Sequence, residues 1–152
     1  LDSARFTIDV DEFNLSIAKA RSATNNETAA EWYERAVALY QGEYLQNLYY
    51  EWVFPERRRQ AQAYLNALQE LTAYYLSTHM SKQAILCAEK AIALDPLNED
   101  LYCLSMRAYA ELGDRASMAR VYAELQSGLQ TELNANPMSE TIKLYSELMG
   151  GK

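Results

Sequence analysis

Apolar and small side chains recur at helical intervals through residues 64–98, YLNALQELTAYYLSTHMSKQAILCAEKAIALDPLN. In the first half of this stretch the recurring positions carry mostly large residues, and in the second half they carry alanine. The positions that define the pattern are Leu68, Leu71, Thr72, Tyr75, Ala84, Ala88, Ala91 and Pro96. Large residues fill the seam between two antiparallel helices, and alanines let the second helix approach a neighbouring unit closely. The pattern therefore predicts a helix-turn-helix unit of about 34 residues that needs neighbours to bury its apolar faces.

The same offsets fit two further stretches, so the unit is a repeat. One copy consists of Phe13, Ser16, Ile17, Ala20, Ala29, Tyr33 and Ala36, and the other of Tyr102, Ser105, Met106, Tyr109, Met118, Tyr122 and Leu125. The third copy starts one repeat length after the second, at Tyr102 against Leu68, whereas Leu68 lies a further 21 positions beyond one repeat length from Phe13. The difference is an insertion. The unit resembles a tetratricopeptide repeat. The predicted fold class is all-α, with three tetratricopeptide-like helical hairpins and a C-terminal capping helix.

The insertion, at about 42–62, is the most aromatic part of the chain and has no helical or strand period throughout. One interpretation is a packed loop that plugs the gap between the first and second hairpins. The other is a recognition surface, because Trp, Tyr and Arg dominate interface energies. Trp52 is the central residue of either interpretation, and Arg57 belongs to a short basic run where an acidic partner could dock. Pro55 suits the first turn of the helix that follows.

The first ten residues carry a different signal. Phe6, Ile8 and Val10 alternate with polar residues, which is the period of a strand. Because the chain opens on Leu1 rather than Met, we expect residues 1–10 to be a strand-like arm or linker from a missing upstream domain. Asp11 then caps the first helix, and residues 11–152 form the repeat domain.

The last third of the chain predicts a turn at 134–137 and a terminal helix with Ser139 as its N-cap. The apolar stripe of that helix, predicted to cover the open end of the helical stack, consists of Ile142, Tyr145, Leu148 and Met149. His79 stands one repeat length before Gly113 in the sequence. We therefore expect His79 to occupy the turn position that Gly113 fills in the next repeat.

Charge and composition argue against several classes of function. The 152 residues carry a net charge of −7, which repels polyanions, so we expect no direct nucleic-acid binding and no membrane contact by this segment. The two cysteines, Cys87 and Cys103, form neither a disulfide framework nor a metal-ligand spacing and indicate reduced cytoplasmic thiols. No metal site, cofactor site or catalytic arrangement is predicted, because His79 is the only histidine and lacks acidic or thiol neighbours at ligand spacing.

Six blocks of sequence, in order and over nearly the whole chain, carry a family resemblance. They are IDVDEF at 8–13, ALYQGEYL at 38–45, EWVFPER at 51–57, ALDPLNED at 93–100, SMRAYAELGDRASMARVY at 105–122 and LQTELNANPMSETIKLY at 129–145. Together they resemble the bacterial transcriptional activator domain (BTAD), the helical-repeat domain that follows a winged-helix DNA-binding domain in SARP-type regulators. Two local departures are the NANP turn and the Phe54–Pro55 pair. The resemblance implies a regulatory role, with DNA binding by the absent winged helix and contacts to the transcription machinery, to that domain or to a second copy.

Repeat geometry further predicts a concave groove after the insertion. Its predicted floor consists of Asn66, Gln69, Ala73, Asp100, Cys103 and Arg107, with Glu111 at the rim. Arg107 would anchor a partner carboxylate. The alternative for Arg107 is an intramolecular salt bridge to Asp100 or Glu111. The tentative partner-binding set is therefore Trp52, Arg57, Asn66, Gln69, Asp100, Arg107 and Glu111.

Three functions remain open at this stage. The first is the protein-interaction module of a cytoplasmic transcription activator. The second is a generic tetratricopeptide adaptor that binds a partner peptide. The third is a small-molecule sensor, which predicts an enclosed apolar pocket near Trp52 and Phe54. An enzyme is not expected.

Overall fold

The computed structural model describes residues 3–40 and 53–150. Within these two ranges the regular elements are helices and no strand occurs, which confirms the predicted all-α class. The helices are α1 (Ser3–Ser22), α2 (Asn26–Leu39), α3 (Val53–Ser77), α4 (Ser81–Leu94), α5 (Glu99–Glu111), α6 (Arg115–Leu133) and α7 (Ser139–Gly150). In the described part of the chain, no helix combines the length and apolar content that crossing a bilayer requires. Trp52 and most of the aromatic insertion lie outside the described residues.

The chain divides into two compact units, Leu1–Leu71 and Thr72–Lys152, and the boundary falls within α3. The first unit contains the helical hairpin of α1 and α2, which pack against each other. Its core includes Phe13, Ile17, Ala36 and Ala67. At the edge of this core, Tyr40 stacks on Tyr64 of α3 with ring centroids 3.9 Å apart. Apolar burial therefore joins the first hairpin to the start of the long helix.

The N-terminal strand prediction was wrong, because Ser3–Ser22 is one helix. Asp11 is consequently an interior helical residue and not an N-cap. An alternation over so few positions is too short to separate the two periods, since Phe6 and Val10 also stand at the helical interval of four. The next helix does have a side-chain cap, because the Asn25 Oδ1 accepts a hydrogen bond from the Thr28 N–H at 2.8 Å.

The second unit is built around α5, which packs against α4, α6 and α7. Side chains at the repeat positions of α5 are buried: Tyr102, Ser105, Met106 and Tyr109. The alanines predicted for close approach in α4 are fully buried as well: Ala84, Ala88 and Ala91. Both sets are the positions that the repeat pattern predicts to be inside, so the tetratricopeptide-like frame holds in this unit.

The turns before α4 and before α6 share their main backbone hydrogen bonds. The Met80 N–H donates to the Tyr75 carbonyl at 2.7 Å, and one repeat later the Asp114 N–H donates to the Tyr109 carbonyl at 2.9 Å. His79 has φ of 58° and Gly113 has φ of 71°, so both lie in the left-handed region. The prediction that His79 takes the place of Gly113 is confirmed. Glycine adopts this conformation without the steric cost that histidine bears.

Two details of α7 differ from the prediction. The Ile142 N–H donates to the Met138 carbonyl at 3.0 Å, so Met138 occupies the N-cap position and Ser139 is the first helical residue. Ile142 is exposed, whereas Thr141 is buried. The other members of the predicted stripe, Tyr145, Leu148 and Met149, are half-buried as expected. Thr141 takes the place of Ile142 because α7 turns Thr141 toward α5, and Tyr145 stacks on Tyr122 of α6 with ring centroids 4.0 Å apart.

Candidate partner-binding surfaces

An open groove of about 1150 Å³ lies between α1 and α3 in the first unit. We call it the α1–α3 groove. The polar side chains that line it are Asn14, Arg21, Arg58, Arg59, Gln62 and Asn66, and Ile17 and Phe54 contribute apolar surface. The groove is thus basic and amide-rich, in a chain whose net charge is −7.

Helical spacing places these side chains on facing sides of the two helices. On α3, Arg58, Gln62 and Asn66 follow one another at every fourth position and share one face. The Gln62 Nε2 donates to the Asn66 Oδ1 at 3.0 Å, which orders this row. Across the two helices, the buried Gln60 donates to the Asn14 Oδ1 at 3.2 Å. This hydrogen bond joins α1 to α3 beside the groove.

The arginines of the groove differ in their partners. Arg59 forms an ion pair with Glu56 at 2.7 Å, and this hydrogen-bonded contact lowers the pKa of the Glu56 carboxyl. Arg21 and Arg58 form no ion pair within 4.0 Å among the described residues. Two guanidinium groups without a counter-ion in that part of the chain therefore line one groove. A carboxylate-bearing partner is the natural complement, since guanidinium binds carboxylate with two parallel hydrogen bonds.

The residues of the first unit that were predicted to bind a partner do not share one site. Asn66 lines the α1–α3 groove. Arg57 instead lies against Phe54, with its guanidinium carbon 5.8 Å from the ring centroid. Gln69 is half-buried on α3, and Trp52 lies outside the described residues. Where the structure describes it, the surface near Phe54 is an open groove with arginines in its lining, rather than the enclosed pocket that was predicted.

The predicted residues of the second unit lie on α5, apart from Ala73, which is an exposed residue of α3. On α5, Asp100 and Arg107 are exposed, and Cys103 is half-buried. Among the described residues, Arg107 forms no ion pair with Asp100 or Glu111. The intramolecular salt bridge considered as the alternative for Arg107 is therefore not formed.

Glu111 is engaged by the turn that follows α3. One of its carboxylate oxygens lies 3.5 Å from the His79 Nδ1, and the other accepts a hydrogen bond from the Ser81 hydroxyl. These contacts fasten the end of α5 to the start of α4. Glu111 thus has a structural task, in addition to the partner contact predicted for it.

Cys103 points toward the last helix. Its thiol donates to the Thr141 Oγ1 with an S–O distance of 3.7 Å. Burial raises the pKa of the Cys103 thiol, although the Thr141 contact opposes this shift. The thiol is therefore protonated at neutral pH and is a weak nucleophile. Within the part of the chain that the structure describes, no cluster of three His, Cys, Asp or Glu side chains could hold a metal ion.

Arg58 belongs to the short basic run that was predicted to attract an acidic partner, whereas Arg21 was missed by the sequence reasoning. The spacing of Arg58, Gln62 and Asn66 was a usable signal, because a polar row at every fourth position marks one helix face. That row does not show which helix faces it. The contribution of Arg21 depends on how α1 and α3 pack, and these two helices are separated in sequence by α2 and most of the insertion.

Comparison with known proteins agrees with the helical-repeat architecture. The family model described as bacterial transcriptional activator domain matches residues 8–149, which is nearly the whole chain. No curated protein matches the chain.

Proposed function

The chain belongs to the bacterial transcriptional activator domain family, and we propose that it is the protein-interaction and regulatory module of a transcription activator. The DNA-binding part of this regulator would be a winged helix outside the chain. The module itself would contact protein rather than DNA, because a net charge of −7 opposes binding to a polyanion. A cytoplasmic location follows from this role.

The pair of arginines without counter-ions among the described residues of the α1–α3 groove carries the proposal. Arg21 and Arg58 together present charged hydrogen-bond donors, and the Gln62 and Asn66 amides lie beside them. Hydrogen bonds to charged groups contribute about 1.5–3 kcal/mol each when they are well made. An acidic segment of the transcription machinery would accept hydrogen bonds from these donors. The negative charge of the rest of the domain would repel the phosphate backbone of a nucleic acid.

A second contact surface is proposed on α5. Arg107 and Asp100 are exposed there, and Arg107 has no ion-pair partner among the described residues. The proposed contacts of the first unit also include Arg57, Gln69 and Trp52. Those of the second unit also include Glu111. These residues would adjust partner choice, whereas Arg21 and Arg58 would supply the main charge attraction.

The experiment uses the complete regulator that contains this chain. In the double variant Arg21→Glu, Arg58→Glu, we expect unchanged promoter DNA binding in a gel-shift assay. Activation of a promoter reporter should fall by about tenfold, which corresponds to about 1.4 kcal/mol of lost contact energy. The matched control is Lys82→Glu, Lys90→Glu, which changes the net charge equally at two exposed positions of α4.

The control separates a local effect from a charge effect. The proposal requires that the control variant activate like the parent protein. It is wrong if the arginine variant activates normally, or if both double variants lose activation to the same extent. Circular dichroism of each variant verifies that the helices remain folded.

A further inference from the structure

Ser105 lacks the hydrogen bond that its counterpart in the first repeat makes. Its position in the repeat frame is held by Leu71 in the second copy and by Ser16 in the first. The Ser16 hydroxyl donates to the Glu12 carbonyl at 2.8 Å. The Ser105 side chain is fully buried, and its Oγ has no hydrogen-bond partner among the described residues. A buried hydroxyl without a partner costs stability, so its presence calls for an explanation.

Ser105 is one of the residues that line a cavity. This cavity is partly open, has a volume of about 330 Å³ and lies among α4, α5 and α6 in the second unit. That is about the space that eleven water molecules occupy in the liquid. It also falls at the lower end of the volumes of small-molecule sites.

The walls and the opening of the cavity have distinct chemistry. Ile92, Val121 and the rings of Tyr102 and Tyr109 form apolar walls. The charged residues of the lining are exposed: they are Glu89, Glu124 and Arg120.

Hydrogen bonds already fix part of this arrangement. The Tyr109 hydroxyl donates to the Glu89 Oε1 at 3.2 Å, and the Tyr102 hydroxyl donates to the Pro96 carbonyl at 3.1 Å. In the described part of the chain, Arg120 forms no ion pair within 4.0 Å with either carboxylate. One carboxylate is therefore in excess over the cationic groups of the lining, which favours a positively charged ligand.

We propose that this cavity binds a small organic amine with an aromatic or aliphatic body and a hydrogen-bonding group at the end opposite the amine. The hydrogen-bonding group pairs with the Ser105 hydroxyl, the body packs between the tyrosine rings, and the ammonium pairs with Glu89 and Glu124. The site is distinct from the α1–α3 groove and does not depend on it. It gives the regulatory module a second input, through a small molecule rather than a protein.

The test compares three probes on the isotope-labelled chain by amide chemical shifts. The probes are tyramine, which carries both groups, phenethylamine, which lacks the hydroxyl, and phenylpropionate, which replaces the amine by a carboxylate. Tyramine should produce saturable shifts in α4, α5 and α6 at millimolar concentration. It should bind about fivefold more tightly than phenethylamine, the value of one neutral hydrogen bond. Phenylpropionate should give no saturable shifts.

Three variants assign the roles. Ser105→Ala should bind phenethylamine as the parent does and lose the fivefold preference for tyramine. Ser105→Leu restores the residue type of the second repeat, fills the cavity and should abolish binding of both amines. Glu124→Gln should weaken both amines to a similar extent, because it removes charge and not the hydroxyl contact.

Each outcome decides the proposal. Absence of saturable shifts with all three probes would mean that the cavity takes only water, and the proposal would be overturned. Equal shifts with phenylpropionate would overturn the charge assignment. A tyramine preference that persists in Ser105→Ala would overturn the role of Ser105, and that variant retains the helix, so its result is readable even if Ser105→Leu fails to fold. None of these variants touches the α1–α3 groove, so failure here leaves the proposed function standing.

Discussion

The second and third repeats follow one frame but place small and large side chains at different positions of it. In the second repeat Leu71 is large on the first helix, and Ala84 and Ala91 are small on the second. In the third repeat Ser105 is small on the first helix, and large residues occupy the corresponding positions of the second helix, Met118, Tyr122 and Leu125. The frame thus determines which positions are buried, while the residue at each position determines how the space is filled. The cavity that Ser105 helps to line lies between the helices of the third repeat and α4.

The largest expected difference is at the shared position of Leu71 and Ser105. Leu71→Ala should lower the free energy of unfolding by about 2–5 kcal/mol, because it removes a large buried side chain and leaves a void. Ser105→Ala should change it by less than about 1 kcal/mol, in either direction, because the hydroxyl it removes has no partner among the described residues. Urea unfolding of both variants measures the contrast. Equal losses would show that the Ser105 hydroxyl is well bonded and that the comparison fails.

A smaller contrast is expected at the position shared by Ala84 and Met118, both fully buried. Ala84→Met should destabilise the chain by about 1–3 kcal/mol, because the added atoms have no space. Met118→Leu conserves volume and should cost less than about 1.5 kcal/mol. Thermal unfolding of the two variants shows which substitution lowers stability more. If Ala84→Met is tolerated, the close approach attributed to the alanines of α4 is not required.

The smallest expected difference concerns the helix starts at Met80 and Asp114, which occupy the same position in successive repeats. The Asp114 carboxylate accepts from the Ser117 N–H at 3.0 Å, whereas Met80 makes no side-chain cap. Their backbones are similar, with φ, ψ of −93°, 56° at Met80 and −85°, 77° at Asp114. Met80→Asp should therefore stabilise the chain by about 1 kcal/mol at neutral pH, as measured by urea unfolding. An unchanged or lower stability would show that the two helix starts are not equivalent.

The cap predicts a pH dependence with a definite sign. Hydrogen bonds from the Ser117 backbone and side chain lower the pKa of the Asp114 carboxyl. Its contribution is therefore complete above the ordinary carboxyl pKa and is lost as pH falls through the lowered value. The stability difference between the parent chain and Asp114→Ala should shrink in that acidic range and stay constant at neutral pH. A difference that grows on acidification would contradict the capping role.

The sequence predicted most of the buried repeat positions but not the structure of the N-terminal residues. Spacing identifies Leu68, Tyr75 and Ala88 as interior residues, because one helical period determines which face is covered. It also identified the turn equivalence of His79 and Gly113. The strand prediction at residues 1–10 failed because a short window fits two periods.

The candidate sites were harder to predict for a physical reason. The α1–α3 groove requires Arg21 and Arg58 to face each other across helices that are distant in sequence. Whether the Ser105 hydroxyl finds a hydrogen-bond partner among the described residues depends on which side chains of α4 and α6 surround it. A repeat pattern does not encode those neighbours. Individual helix faces can thus be derived from spacing, but sites between helices require their packing.

The central claim is that Arg21 and Arg58 form the main partner contact of a transcription-regulatory domain, and direct binding tests it most sharply. The affinity of the chain for purified bacterial RNA polymerase holoenzyme should fall by about tenfold or more in Arg21→Glu, Arg58→Glu. It should remain unchanged in Lys82→Glu, Lys90→Glu, and binding by the parent chain should weaken with added salt. Equal affinity of the arginine variant and the parent chain, or loss of binding only in Arg107→Glu, would contradict the claim.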